Sequence, residues 1–206
     1  MTVHLVRLGG SILRHEFRIE GMVQPSLEAL VTRTIDRFYA VTGPLAARLG
    51  VEKVYTVHLE QKGRNNYAPG NRLNLNTLNL TEWTITHELA HALDAAHGWR
   101  LSQQMRAHTG SGFLFKALHY ARPAWKVFWY RVGSPPPPCG VDKNFNSLED
   151  FAETVTAYIF PAEAHRRAEQ RGYAYEKWGY THFHETPRGQ FFANLLNREA
   201  IKTPSG

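Results

Sequence analysis

Between Thr81 and Gly98 the chain spells one amphipathic helix, and that helix carries His87, Glu88, Leu89, Ala90 and His91 in a His-Glu-x-x-His order. Thr81 offers an N-cap oxygen and Glu82 an acid in the first turn. Ile85, Leu89, Ala92, Leu93 and Ala96 recur at helical spacing, and Gly98 suits a C-terminal stop. Residues four apart share a helix face. His87 and His91 can therefore present two imidazole nitrogens to one metal ion. Glu88 lies on the flank of that face, where a carboxylate can take a proton from a water that the ion activates. The plain alternative is a helix with two surface histidines and a solvated glutamate. The histidine stripe adjoins the apolar face, however, and a half-buried pair of histidines has little use there without a metal.

A catalytic zinc ion usually takes three protein ligands. Two residues compete for the third place. His97 follows His91 by six positions, but Asp94 sits in a run, Ala92 to Ala96, that favours continued helix. A continued helix carries His97 away from the ion. As a helix C-terminal histidine it has an ordinary role. Glu149 is the favoured candidate. Ser147 and Asp150 open a second helix that runs through Tyr158 and stops at Pro161. Glu149 and Glu153 share one face of it, while Leu148, Phe151, Ala152, Val155 and Ile159 form its apolar side. Like charges at that spacing repel unless a cation relieves them. Glu149 can supply the third oxygen ligand. Glu153 can accept a hydrogen bond from the other ring nitrogen of a ligand histidine. The competing view is a solvated acidic helix start.

The segments His87 to Asp94 and Glu149 to Glu153 together resemble the gluzincin metallopeptidases, most like the family of the anthrax lethal factor catalytic domain. The likeness runs loosely over residues 50 to 160. It implies a zinc metallopeptidase with one catalytic Zn2+ on His87, His91 and Glu149, and with Glu88 as general base. Glu153 falls on the acid that orients a ligand histidine, and Asp94 on the aspartate after the second histidine. The family carries a tyrosine shortly before its third ligand, thought to stabilise the oxyanion. The matching position here is Asp142, which leaves that helper unassigned. Tyr173, Tyr175, Tyr180, His182 and His184, in a segment dense in tyrosine and histidine, are candidates by chemical type.

The rest of the chain bounds these readings. Its 206 residues predict a single catalytic domain of two lobes, about 1–98 and about 99–206. The lone Cys139 excludes an internal disulfide framework, and after the prolines 135–138 it reads as a free loop thiol. No secretory h-region and no membrane-length apolar run is visible, so the expectation is a cytoplasmic protein with no membrane partner; signal-independent export stays open. The net charge of +6 is spread over scattered arginines. That favours a solvated surface and disfavours, without excluding, nucleic acid as a partner.

Alternating patterns predict strands at Val3 to Leu8, around Phe17 and Ile19, at Val54 to Leu59 and at Arg72 to Asn76. The resemblance to the gluzincins implies that Tyr67-Ala68, or the stretch near it, forms the sheet edge beside the cleft; the plain alternative is a hairpin loop. A helix opened by Pro25-Ser26 is expected to end at Gly43-Pro44, with a short helix from Leu45 to Leu49 after it. Short helices are expected at Phe113 to Tyr120 and Ala124 to Val132, a polar helix after Pro161, and a last one after Thr186-Pro187. The fold expected is α+β and zincin-like: a small twisted sheet with a backing helix and an active-site helix, then a mostly helical lower lobe. Two functions compete. One is hydrolysis of a protein or peptide substrate; the other is a non-catalytic, metal-stabilised module that binds nucleic acid or a partner protein.

Overall fold

Alternation along the N-terminal half builds a five-stranded sheet in this computed structural model, which describes residues 1–8, 14–63, 65–68, 70–109, 147–170 and 182–197. The strands are β1 (Thr2–Arg7), β2 (Arg14–Gly21), β3 (Lys53–Glu60), β4 (Asn66–Ala68) and β5 (Arg72–Asn76). Their order is β1-β2-β3-β5-β4. β1 and β2 pair antiparallel, β2–β3 and β3–β5 parallel, and β4 runs antiparallel to β5 at the edge. Alternate residues turn inward: Phe17, Ile19, Tyr55, Val57, Leu59, Leu73 and Leu75 are buried. Tyr67-Ala68 lies on the edge strand, as the family resemblance implied.

Helix α1 (Pro25–Ala47) makes the crossover between the parallel strands β2 and β3 and lays Val31, Ile35, Phe38 and Leu45 on the inner face of the sheet. It does not end at Gly43-Pro44. The helix passes straight through Pro44. Proline usually expels its predecessor from the helical region by a clash with that residue's Cβ, and Gly43 has none. Burial of Thr42, Leu45 and Ala46 holds the last turns in place.

Helix α2 (Glu82–Ala96) is the active-site helix of the sequence reading. Thr81 caps it by accepting the Thr84 N–H, and the Thr84 hydroxyl accepts the Thr81 N–H in return. At its end Gly98 N–H bonds the Ala95 carbonyl and Trp99 N–H the Asp94 carbonyl, the paired bonds of a Schellman stop. Gly98 and Trp99 both have left-handed φ, 64° and 60°. This turn launches α3 (Arg100–Thr109), a helix that the sequence reading missed. Then come α4 (Ser147–Ile159), α5 (Pro161–Gln170) and α6 (Pro187–Asn197). The architecture is α+β, with the sheet and α1 first and helices after. The expected helices within 110–146, the proline run and Cys139 lie outside the described residues.

α4 is fixed from below. Asp150, completely buried, receives two bonds from Arg188 of α6, at 2.8 and 2.9 Å. The fork of a guanidinium matches a carboxylate in this way. Arg48, just past α1, donates to the carbonyls of Leu195 and Leu196 and so ties α6 to the sheet layer.

His15 is buried between Tyr39 and Tyr55 and bonds the Tyr39 hydroxyl at 2.7 Å. Burial first, and the Lys53 ammonium second, push its pKa down to about 4 from 6.5. The folded state thus prefers the neutral ring. Stability is full above pH 6.5 and falls as pH drops from there toward 4, by on the order of 3 kcal/mol for this one group. Urea unfolding at about pH 7.5 and about pH 4.5 should therefore show a smaller acid loss in His15→Asn than in the wild-type protein. Equal losses would rule out His15 as a source of acid lability.

Candidate metal centre

The pitch of α2 brings His87 and His91 to one side, and α4 packs across them. Glu149 Oε2 lies 3.0 Å from His87 Nε2 and 3.5 Å from His91 Nε2, and the two Nε2 atoms are 3.1 Å apart. His87, His91 and Glu149 form a group whose donor atoms could hold a metal ion. A tetrahedral ion with bonds of about 2.0–2.1 Å spaces its ligand atoms by about 3.3 Å, and the observed separations bracket that edge.

Proton placement points the same way. His87 Nδ1 lies 3.2 Å from Glu153 Oε1 and donates to it. That leaves the lone pair on Nε2, facing both a carboxylate oxygen and a second imidazole. Such a meeting of acceptors is repulsive unless a cation or an extra proton joins them. Burial works against charge on His87, but the bonds to Glu149 and Glu153 outweigh it and raise its pKa well above the usual value. Burial likewise works to raise Glu149, and its bonds to His87 and His91 override this and hold it well below the carboxylate range. The donor set therefore fits a divalent cation.

Glu88 is 5% exposed. Burial is the main cause that raises its pKa, countered by His87 and His91 and by a bond from the Tyr67 backbone N–H of β4. Its Oε2 has no protein partner among the described residues, and neither has Glu153 Oε2. Both residues line a cleft of about 180 Å³ with His87, Glu149, Asn65, Trp83, Thr84 and Arg167. Edge strand β4 thus borders the carboxylate. The bond from Tyr67 left no trace in the sequence, because a backbone donor has no residue signature.

The other candidates fall elsewhere. His97 is the C-cap of α2, and its ring bonds the Leu45 carbonyl on the α1 side. It does not join the metal group. Asp94 is wholly buried and accepts the backbone N–H groups of Leu101 and Ser102, at 2.9 and 3.2 Å. It holds the start of α3, and its charge also acts on His91. His184 donates to the Tyr158 carbonyl at 2.8 Å and stacks on that ring. Tyr158 lies nine positions past Glu149, about 13 Å along the helix axis. His182 sits at the turn before Phe183–Glu185, away from the cleft lining. Tyr173, Tyr175 and Tyr180 are outside the described residues. Trp83 and Arg167 also wall the cleft, and the sequence reading did not single out either as a site residue.

No protein-family model matches this chain, and no curated protein does. A solved structure that resembles it is that of an M1 zinc metallopeptidase mutant from Deinococcus radiodurans, at 12% identity and a TM-score of 0.33. The match covers 98% of this chain and 52% of the other, so the chain spans about half the length of that protein. A likeness at that level carries no argument about this chain.

Zinc titration of the purified protein should show one ion per chain. Glu149→Ala should abolish tight binding, Glu153→Ala should weaken it by about 10- to 100-fold, and His97→Ala should leave it intact. Wild-type affinity in Glu149→Ala, read by equilibrium dialysis against Zn2+, would refute the assignment.

Proposed function

We propose that this chain is a zinc-dependent metallopeptidase of gluzincin type, acting as one catalytic domain on a protein or peptide substrate. The observation that carries the reading is Glu88. It is a buried carboxylate in the lining of the cleft, with one oxygen held by an edge strand and the other without a hydrogen-bond partner among the described residues, beside a His-His-Glu donor set. A purely structural metal site has no use for such a base. Two imidazoles and one carboxylate are the donor set of catalytic zinc sites.

In this reading His87, His91 and Glu149 hold the zinc, which supplies Lewis acidity toward a carbonyl and makes a water acidic enough to react near neutral pH. Glu153 fixes the His87 tautomer, so that Nε2 keeps its lone pair for the ion. Burial disfavours the charged form of Glu88, which suits a carboxylate that has to take up a proton. It accepts the proton of the attacking water and hands it to the leaving amine. Edge strand β4 offers backbone groups to an extended peptide, so main-chain bonds can position the scissile carbonyl near Glu88. The bond from Tyr67 keeps the carboxylate of Glu88 against that strand. No described helix is long and apolar enough to cross a membrane.

Replacing Glu88 with Gln removes the base and keeps the side-chain shape. The variant should hold zinc like the wild-type protein and lose peptide hydrolysis by at least about 100-fold. Hydrolysis of a capped peptide library, followed by mass spectrometry, measures this. Full activity in the variant would end the assigned mechanism.

A further inference from the structure

The cleft has a cationic wall that the proposed hydrolysis does not use. Arg167 of α5 lines it together with Trp83, Thr84 and Asn65. Its guanidinium carbon sits 4.5 Å above the Trp83 ring centroid, a cation–π placement. Its Nε donates to Glu163 Oε1 at 2.7 Å. Glu163 also takes two bonds from Arg166, at 2.6 and 2.7 Å. One carboxylate thus serves two guanidiniums, and the cluster keeps a net positive charge. Arg166 is half exposed, whereas the Arg167 side chain is 24% exposed.

Stacking on Trp83 and the tether at Nε fix the plane of the Arg167 guanidinium. No acceptor for its two terminal NH2 groups is present among the described residues. A fixed guanidinium edge is a fork that fits a carboxylate with two parallel bonds. Glu149 and Glu153 line the same cleft but are bonded to His87, not to Arg167. Asn65 and Thr84 add neutral polar groups to the wall and bring no competing charge.

We propose that Arg167 is a specificity-determining residue that binds a carboxylate of the substrate, so that the chain selects acidic peptides. The proposal rests on the peptidase reading above and supplies the substrate class which that reading leaves open. The carboxylate has two sources, an Asp or Glu side chain near the scissile bond or the free C-terminus of a short peptide. Trp83 acts as the platform that holds the guanidinium in plane.

The test uses the zinc-loaded full chain and matched peptides in which Glu or Asp is replaced by Gln or Asn, each made with a free and an amidated C-terminus. Wild-type kcat/KM should favour the acidic member by about tenfold or more. Arg167→Gln should collapse that ratio toward one, and Arg167→Glu should turn the preference toward Lys- and Arg-containing peptides. Side-chain recognition makes the Glu/Gln ratio large in amidated peptides; terminal recognition makes the acid/amide ratio large instead. A wild-type ratio near one in both arms overturns the proposal without recourse to any variant. So does an equal loss on every peptide in a folded, zinc-loaded Arg167→Gln protein.

Binding separates the two readings. Calorimetric titration of zinc-loaded Glu88→Gln protein with the acidic peptide and its amide isostere reads the carboxylate site without hydrolysis. Acid-selective binding that vanishes in the Glu88→Gln, Arg167→Gln double variant, with no peptide cleaved by the wild-type protein, would sustain the carboxylate site and reject the peptidase. Cleavage without acid-selective binding would do the reverse.

Discussion

One imidazole stands between two carboxylates. His87 meets Glu149 at Nε2 and Glu153 at Nδ1, and through that ring α2 and α4 are locked face to face. Two glutamates four apart on a largely buried helix face repel each other. Burying their charge also costs several kcal/mol per group unless a partner compensates. The His87 ring compensates both at once when the centre carries positive charge, as a proton or as a metal ion. Other features of the fold serve that meeting. Arg188 clamps Asp150 in the first turn of α4, and Arg48 fixes α6 through its terminal carbonyls. Asp94 starts α3 where it can pack on α4. A removable cation at such a centre would couple its occupancy to the docking of the two helices.

The parts legible in the sequence are those that depend on period and local chemistry. His87, His91, Glu149 and Glu153 could be paired because a helix repeats every 3.6 residues. The strands were legible because inward and outward residues alternate. The α1 terminus was misjudged because Gly43-Pro44 is a stop signal only when local sterics decide. Here the glycine removes the clash and the buried residues beyond it outweigh one missing bond. Helix α3 was missed because its N-terminus is held by Asp94, a side chain from the preceding helix, and because Leu101 and Met105 are a sparse apolar stripe. Long-range pairing left even less trace. Nothing in the sequence selects Arg188, among all the arginines, as the partner of an aspartate 38 positions away.

Burial alone does not identify the base. Glu88 and Asp94 are both buried acids on α2, both have pKa values raised mainly by desolvation, and each leaves one oxygen without a partner among the described residues. Their other oxygens distinguish them. Asp94 Oδ1 accepts two backbone N–H groups and has become part of a helix start, so protonating it would loosen α3. Glu88 accepts one N–H, from a strand at the open edge of the sheet, and it lines the cleft. Within the same helix, then, one buried acid is committed to architecture and the other is free of that commitment, as the proposed base has to be, and it is the identity of the hydrogen-bond donors, not the degree of burial, that separates them.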